Sequence, residues 1–352
     1  MNEITKHIIV ESALIKDALL KLNSLAIDSI LFIVDKSNKL IGSLTDGDVR
    51  RGLLNGFKIE DRVTEMMNGN PKFIFLNKRN IDEIIKLRES NFKIIPILNE
   101  NYEIINILNF RKKKSYLPVD VVIMAGGKGS RLMPLTKNTP KPLIKVGDKP
   151  IIEHNIDRLS FFGIENYWIS LNYLADQVVE YFSNGEGKNI KINYVFEDTP
   201  LGTIGAVSKI NKFKHDNILL TNSDILTNLD YEKFFLDFIK EDADFSVVTI
   251  PYNVEIPYAV IETNGKKITD FKEKPTYTYY SNAGIYLIKK SVLKHIPKDS
   301  FYNSTDLMSD LIKLNKKVIT HSFSGYWLDI GQHKDLEQAQ LDIQKNELKI
   351  LT

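Results

Sequence analysis

The sequence predicts an α/β protein of two parts, paired α-β-β units over residues 1–115 and an open, doubly wound sheet over residues 119–352, joined by a linker at 116–118. Three observations carry that expectation. An apolar–turn–apolar pattern occurs twice in the first 115 residues, a basic proline-ended stretch follows, and apolar runs then alternate with amphipathic ones. A chain of 352 residues also suits two or three domains at roughly 100–200 residues each.

The first pattern is Ile30-Leu31-Phe32-Ile33-Val34-Asp35-Lys36-Ser37-Asn38-Lys39-Leu40-Ile41, two apolar runs around a polar turn. Ile94-Ile95-Pro96-Ile97-Leu98-Asn99-Glu100-Asn101-Tyr102-Glu103-Ile104-Ile105 repeats it without a gap. Each reads as a β-hairpin closed by a polar, Asx-containing turn. Each follows apolar residues at helical spacing: Leu14, Ala18, Leu19 and Leu22 before the first, Ile81, Ile84, Ile85 and Leu87 before the second. Two such units side by side resemble a tandem CBS pair, the Bateman arrangement.

The stretch Arg111-Lys112-Lys113-Lys114-Ser115-Tyr116-Leu117-Pro118 is too short for a binding tail and reads as a solvated connection. Beyond it, Val119–Met124 is apolar but for Asp120, as expected of a strand buried on both faces. Similar runs recur at 167–171, 190–196, 218–221, 245–250 and 283–288, with helical stretches such as 151–162 and 231–239 between several of them. In an open α/β sheet of this kind, ligands bind at the carboxyl ends of the strands.

Composition narrows the function classes. Hydrophobic residues make up 43% and charged residues 26%, ordinary for a chain that buries real cores. Lys and Arg total 47 against 45 Asp and Glu, a net charge of +2, which argues against a polybasic nucleic-acid binder. The lack of cysteine excludes disulfides, thiolate metal sites and a cysteine nucleophile. No apolar run approaches the roughly 18 residues needed to cross a bilayer. The polar start from Met1 to His7 lacks the layout of a secretory signal. The expectation is a cytoplasmic protein with neither nucleic acid nor membrane as partner.

The main chemical signal is Met124-Ala125-Gly126-Gly127-Lys128-Gly129-Ser130-Arg131-Leu132. Glycines let backbone N–H groups approach a phosphate chain, and Arg131 adds a cation. The spacing is neither that of a Walker loop nor Gly-x-Gly-x-x-Gly. Thr136 and Pro140-Lys141-Pro142 follow, the lysine held between two φ-restricted residues. This combination resembles the sugar-1-phosphate nucleotidyltransferase family. Five later strings match that family in order: Glu197-Asp198-Thr199-Pro200-Leu201-Gly202-Thr203, Asn222-Ser223-Asp224, Phe271-Lys272-Glu273-Lys274-Pro275, Asn282-Ala283-Gly284-Ile285-Tyr286 and Tyr326-Trp327-Leu328-Asp329-Ile330-Gly331. The resemblance implies a Rossmann-like, glycosyltransferase-A-like domain and an enzyme that joins the nucleotidyl group of a nucleoside triphosphate to a sugar-1-phosphate.

It also implies roles for particular residues. Ala125, Gly126, Gly127, Gly129 and Ser130 form a first nucleotide loop, with Glu197, Leu201, Gly202 and Thr203 in a second. Arg131, Lys141 and Lys274 are the expected catalytic cations: Arg131 on the phosphates that leave as pyrophosphate, Lys141 on the α-phosphate, Lys274 on the acceptor phosphate. Asn172, Glu273, Asn282 and Gly284 join Lys274 around the sugar phosphate. Asp224 and Asp329 are the expected Mg²⁺ ligands, since hard carboxylate oxygens suit that ion. The acceptor phosphate is already an anion, so the reaction needs positioning and charge cancellation rather than a general base. None of the six histidines falls in a matched string.

Glu197 stands where the family contacts the base. A carboxylate there can accept from both the ring N–H and the exocyclic amine of guanine, which favours GTP; glutamine would suit uracil or thymine better. A CBS pair fused to such a domain resembles the legionaminic-type enzymes of bacterial nonulosonic acid pathways, which make GDP-glucosamine from glucosamine-1-phosphate. Mannose-1-phosphate and heptose-1-phosphate guanylyltransferases stay open as alternatives, as do uridylyl or cytidylyl transfer and a non-catalytic nucleotide sensor. In Gly42-Ser43-Leu44-Thr45-Asp46-Gly47-Asp48 the CBS resemblance places Thr45 on a phosphate and Asp48 on the ribose of an adenine nucleotide. Asn109 and Lys112 replace them in the second unit. The pair therefore reads equally as a sensor or as a scaffold for a homo-oligomer.

Overall fold

The computed structural model describes residues 3–76 and 80–345, and the chain forms two compact units, Met1–Tyr116 and Leu117–Thr352. The first half of the first unit runs α1 (Glu3–Lys6), β1 (Ile8–Val10), α2 (Ile15–Leu25), β2 (Ile30–Val34), β3 (Leu40–Thr45) and α3 (Asp46–Leu54). Its second half holds β4 (Ile74–Phe75), α4 (Ile81–Glu89), β5 (Ile94–Leu98) and β6 (Ile104–Asn109).

The two halves repeat one another. In each, an antiparallel hairpin carries an edge strand parallel to its first member. Both hairpins shift register at the same step, Ile33/Val34 in one and Ile97/Leu98 in the other. The cause is a shared Asx turn. Asp35 Oδ1 accepts from the N–H groups of Ser37 and Lys39 at 2.8 and 2.9 Å, and Asn99 Oδ1 accepts from Asn101 and Glu103, each at 3.0 Å. Ile15, Ala18 and Leu22 of α2 pack on Leu31, Ile33 and Leu44, while Ile84 of α4 packs on Ile95, Ile97 and Leu108. The likeness ends after the third strand of each half. Thr45 caps α3, whereas Asn109 donates its amide to Asp28 Oδ2 at 2.8 Å.

Tyr116 belongs to the core of the first unit, while the Leu117 N–H donates to the Phe162 carbonyl at 3.1 Å in the second. The second unit continues through β7 (Val119–Met124), β8 (Lys145–Val146), β9 (Lys149–Pro150), α5 (Ile151–Phe161), β10 (Asn166–Leu171), α6 (Ala175–Phe182), β11 (Lys191–Phe196), β12 (Asn217–Asn222) and β13 (Ile225–Thr227). It ends with α7 (Tyr231–Lys240), β14 (Phe245–Glu255), β15 (Val260–Asn264), β16 (Lys267–Lys272), β17 (Thr276–Lys289), α8 (Ser304–Lys313), β18 (Val318–Ser322), β19 (Trp327–Asp329) and α9 (His333–Gln344).

Seven strands form the main sheet in the order β11-β10-β7-β12-β17-β14-β18. Val121, Val122 and Ile123 of β7 are fully buried near its centre. Asp120 beside them is buried too; burial pushes its pKa up, and its carboxylate accepts from the His215 N–H at 2.7 Å. The doubly wound sheet is not wholly parallel, because β17 runs antiparallel to both β12 and β14. A hairpin without a crossover helix joins β14 to β17, and such a connection returns an antiparallel strand. The apolar runs at 245–250 and 283–288 mark only the buried halves of these two strands. Both continue as a largely exposed arm, pairing as far as Glu255 with Thr276, and β15 and β16 form its outer hairpin. Among the described residues no helix is long and apolar enough to cross a membrane.

Candidate active site

Gly126, Gly127, Gly129 and Ser130 leave β7 at its carboxyl end and line a cavity of about 450 Å³. Gly129 sits at φ +63°, and a Cβ there would fall 2.9 Å from both Lys141 Cβ and Thr136 Cγ2. A side chain at this position would displace the lysine beside the loop. Thr136 closes the loop by donating its hydroxyl to the Gly129 carbonyl at 2.9 Å. Ala125 lies beneath, buried, its N–H donating to the Ser170 carbonyl at 3.0 Å. It supports the loop rather than lining the cavity.

Lys141, only 9% exposed, forms an ion pair with Asp224. Arg131 lies against Gly331, its guanidinium 3.5–3.6 Å from where a Cβ would stand. Asp224 precedes β13 and Asp329 ends β19. These strands pair with Ile225 opposite Asp329, and the Ile330 N–H donates to the Asp224 carbonyl at 3.0 Å. Burial, and then the charge of Asp224, raise the pKa of Asp329 against the opposing pull of Lys141 and Arg131. Asp224 Oδ1 and Asp329 Oδ1 are both buried without a hydrogen-bond partner. Two neighbouring orphaned carboxylate oxygens fit a hard divalent cation, and Mg²⁺ commonly takes only one or two protein carboxylates. No larger cluster of His, Asp or Glu with metal-binding geometry occurs among the described residues.

Helix α5 fixes the segment that carries Asp224. Its buried Asn155 donates to the Ser223 carbonyl at 3.3 Å, and its buried Arg158 donates to the Leu229 carbonyl at 3.1 and 2.5 Å.

A second cavity of about 280 Å³ shares Thr203, Asn222 and Asn303 with the first. Asn282, Gly284, Tyr286, Trp327 and Asp329 complete much of its wall. Asn282 Nδ2 donates to the Tyr286 hydroxyl at 2.8 Å, and its Oδ1 accepts from the Gly284 N–H at 2.9 Å. Gly284 sits at φ +72°, and a Cβ there would come within 2.6 Å of Asn222 Nδ2. The missing side chain gives Asn222 its place on the seam between the cavities. The first cavity holds Arg131 and Lys141, whereas the second is walled by amides, hydroxyls and an indole beside Asp329. The pair can take a polyphosphate on one side and a hydroxyl-rich ring on the other.

Glu197 is buried at the end of β11, where its Oε2 accepts from the Leu201 N–H at 2.9 Å and folds the second loop back on itself. Leu201 is buried and shapes that loop, while Gly202 and Thr203 line the cavity. Asn172 lies beside Gly126 and donates one amide N–H to the Glu197 carbonyl at 2.5 Å.

Glu273 and Lys274 stand apart from the residues described above. They occupy the turn between β16 and β17, are exposed, and line neither cavity. Continued pairing of β14 with β17 carries that turn out along the arm. Thr45 and Asp48 are engaged with each other as the cap of α3. The Thr45 hydroxyl and N–H donate to Asp48 Oδ2 at 2.6 and 2.9 Å, and Arg51 pairs with Asp48 Oδ1 at 2.6 Å. A cavity of about 130 Å³ in the first unit, walled by Phe32, Ser43, Asn68, Lys72 and Phe92 among others, does not include them.

Sequence reasoning missed Asn222, Asn303 and Phe301. Asn222 stood two residues before Asp224 in a matched string, a signal that could have found it. Asn303 and Phe301 reach the site only because their loop packs against the one after β11, and no local pattern marks that.

Residues 120–346 match the family model described as Nucleotidyl transferase. UTP–glucose-1-phosphate uridylyltransferase of Synechocystis sp. is 29% identical over 249 residues, 65% of this chain and 64% of that protein. The chain thus spans less than two thirds of that relative. D-glycero-α-D-manno-heptose 1-phosphate guanylyltransferase of Aneurinibacillus thermoaerophilus is 29% identical over 231 residues, 64% of this chain and 99% of that protein. Among solved structures, HddC from Yersinia pseudotuberculosis complexed with GMP-PN aligns with a TM-score of 0.51 and 25% identity, over 64% of this chain and 99% of its own.

Proposed function

This chain belongs to the nucleotidyl transferase family, and on that premise we propose that it transfers GMP from GTP to a sugar-1-phosphate, giving a GDP-sugar and pyrophosphate. The observation that carries the reading is the neighbouring pair Asp224 and Asp329, set beside Lys141 and Arg131 where the two cavities meet. An oxygen of the acceptor phosphate attacks the α-phosphorus and forms a new P–O bond. The bond from that phosphorus to the α,β-bridging oxygen breaks, and pyrophosphate leaves with the electron pair. No side chain has to take a proton, because the attacking oxygen is already anionic.

Arg131 binds the departing phosphates. Lys141 holds the α-phosphate, its ammonium oriented by Asp224. Asp224 and Asp329 would hold Mg²⁺, which when bound would supply neutralisation of the phosphate charge. Asn222 and Asn303 keep the acceptor in line across the seam, a contribution of positioning. Lys274 and Glu273 stay proposed acceptor contacts on the strength of the family resemblance alone, since both lie on the exposed arm and line neither cavity.

Glu197 at the base end supports GTP, as do the likenesses to a guanylyltransferase and to a structure complexed with GMP-PN. The uridylyltransferase likeness makes UTP the competing donor. For the acceptor we favour glucosamine-1-phosphate, with GDP-glucosamine serving surface-glycan or legionaminic-type synthesis in the cytoplasm. That choice rests on the N-terminal unit, which we read as a tandem CBS pair. The matched hairpins with a common turn and register shift support it. The pair either binds an adenine nucleotide or holds a homo-oligomer together.

The test is pyrophosphate release with Mg²⁺, each of the four ribonucleoside triphosphates, and glucosamine-, glucose-, mannose- and heptose-1-phosphates. GTP with glucosamine-1-phosphate is expected to give the highest kcat/KM. No release from any pair would sink the reading.

A further inference from the structure

We propose that Phe301 is the stacking platform for the nucleobase, an inference that rests on the nucleotidyl-transfer reading. Phe301 is 65% exposed, and it lines the first cavity together with Pro200, Gly202 and Thr203.

The layout of the sheet tells which part of a nucleotide meets it. Glu197 follows β11 and Asp224 follows β12, and the sheet order β11-β10-β7-β12 separates them by three strand spacings, about 14 Å. Lys141 and Asp224 lie at the β12 end, with Arg131 beside Gly331, and the glycine loop lies over β7 between the extremes. A triphosphate therefore belongs over β7 and β12, and its base toward β11.

Phe301 is held at that base end. Its neighbour Tyr302 donates its N–H to the Leu201 carbonyl at 3.0 Å and accepts from the N–H groups of Ile204 and Gly205, each at 3.1 Å. Ser304 N–H donates to the Thr203 hydroxyl at 2.9 Å. Leu201 is itself bound to Glu197. One framework thus carries a carboxylate able to read a base edge and an aromatic face able to cover the base. Stacking of a base on an aromatic side chain is a recurrent source of affinity and tolerates any base.

Calorimetry of GTP binding, alongside steady-state kinetics, decides the matter for Phe301→Ala, Phe301→Tyr and Phe301→Trp. Phe301→Ala is expected to weaken GTP about tenfold, in both Kd and KM, while the acceptor KM and the binding of tripolyphosphate, which has no base, stay within twofold. Tyrosine and tryptophan should restore GTP binding; the exposed position leaves the melting temperature unchanged in all three. Unchanged GTP affinity in Phe301→Ala would overturn the proposal. So would an equal loss for tripolyphosphate, or a rise confined to the acceptor KM, which would place the ring against the sugar. A wild type that binds GTP but makes no nucleotide-sugar refutes the transfer reading while the calorimetric comparison still judges Phe301. If it binds none of the four triphosphates, both fall.

Discussion

Asp224, just before β13, and Asp329, the last residue of β19, come together at one end of the β13–β19 ribbon, each with one carboxylate oxygen buried and unpartnered. That relationship predicts metal-dependent stability as well as metal-dependent rate. Mg²⁺ should raise the melting temperature of the wild type, since a ligand that binds only the folded state stabilises it. Asp224→Asn and Asp329→Asn should lose most of that shift and lower turnover by orders of magnitude. Thermal melts with and without Mg²⁺ check this, and a full shift in either variant would remove that residue from the ligand pair.

Gly284→Ala tests the seam. The substitution forces a residue with a Cβ to φ +72° and sets that Cβ 2.6 Å from Asn222 Nδ2. We expect a loss of about 1–2 kcal/mol from the left-handed backbone alone. Displacement of Asn222 should raise the acceptor KM at least several-fold more than the GTP KM, as measured by initial rates with each substrate varied in turn.

Glu197→Gln should narrow any preference for GTP over UTP. It replaces a charged acceptor by a neutral one and also weakens the bond to the Leu201 N–H. Hydrogen bonds to charged groups contribute about 1.5–3 kcal/mol, so kcat/KM for GTP should fall roughly tenfold to a hundredfold. The ratio of kcat/KM for the two nucleotides is the readout.

How far the sequence was legible follows from where each feature's cause lies. That the glycine loop, Lys141, Asp224 and Asp329 gather in one place was readable because each belongs to a short string with its own chemistry. The paired hairpins were readable because apolar alternation and an Asx turn are local. The position of Lys274 was not, because the length of the arm depends on how far β14 and β17 continue to pair beyond their buried halves. The engagement of Asn172 with Glu197 and the approach of Phe301 were hidden for the same reason. They join segments from different strands, and only the folded sheet brings those together.

A chain beginning at Leu117 should fold and keep transferase chemistry, because the family match and both cavities lie in the second unit. Circular dichroism and pyrophosphate release on that fragment check the claim. A folded but inactive fragment would show that the first unit helps complete the site.

Within the first unit, Asp48→Ala removes the partner of Thr45 in the α3 cap, for an expected loss of about 1 kcal/mol. If the pair is a sensor, the same change should abolish adenine-nucleotide binding. Calorimetry with AMP, ADP and ATP separates the roles: a wild type that binds none is a scaffold.

His321 predicts a pH dependence. Burial, opposed by Asp237 at 3.0 Å, lowers its pKa. Below the ordinary histidine value of about 6.5, the unfolded chain takes up the proton before the folded one does. Stability from this group is therefore complete above that pH and is lost as pH falls through the lowered folded value. Melting temperatures from pH 7.5 to 5.5 should decline less steeply in His321→Gln than in the wild type.

Phosphorus-31 NMR of the full chain with GTP, glucosamine-1-phosphate and Mg²⁺ tests nucleotidyl transfer most directly. Attack at the α-phosphorus predicts pyrophosphate and a diphosphate diester appearing in equal amounts, both absent in Asp224→Asn. Growth of orthophosphate and GDP in their place would mean attack at the γ-phosphorus and would contradict the account.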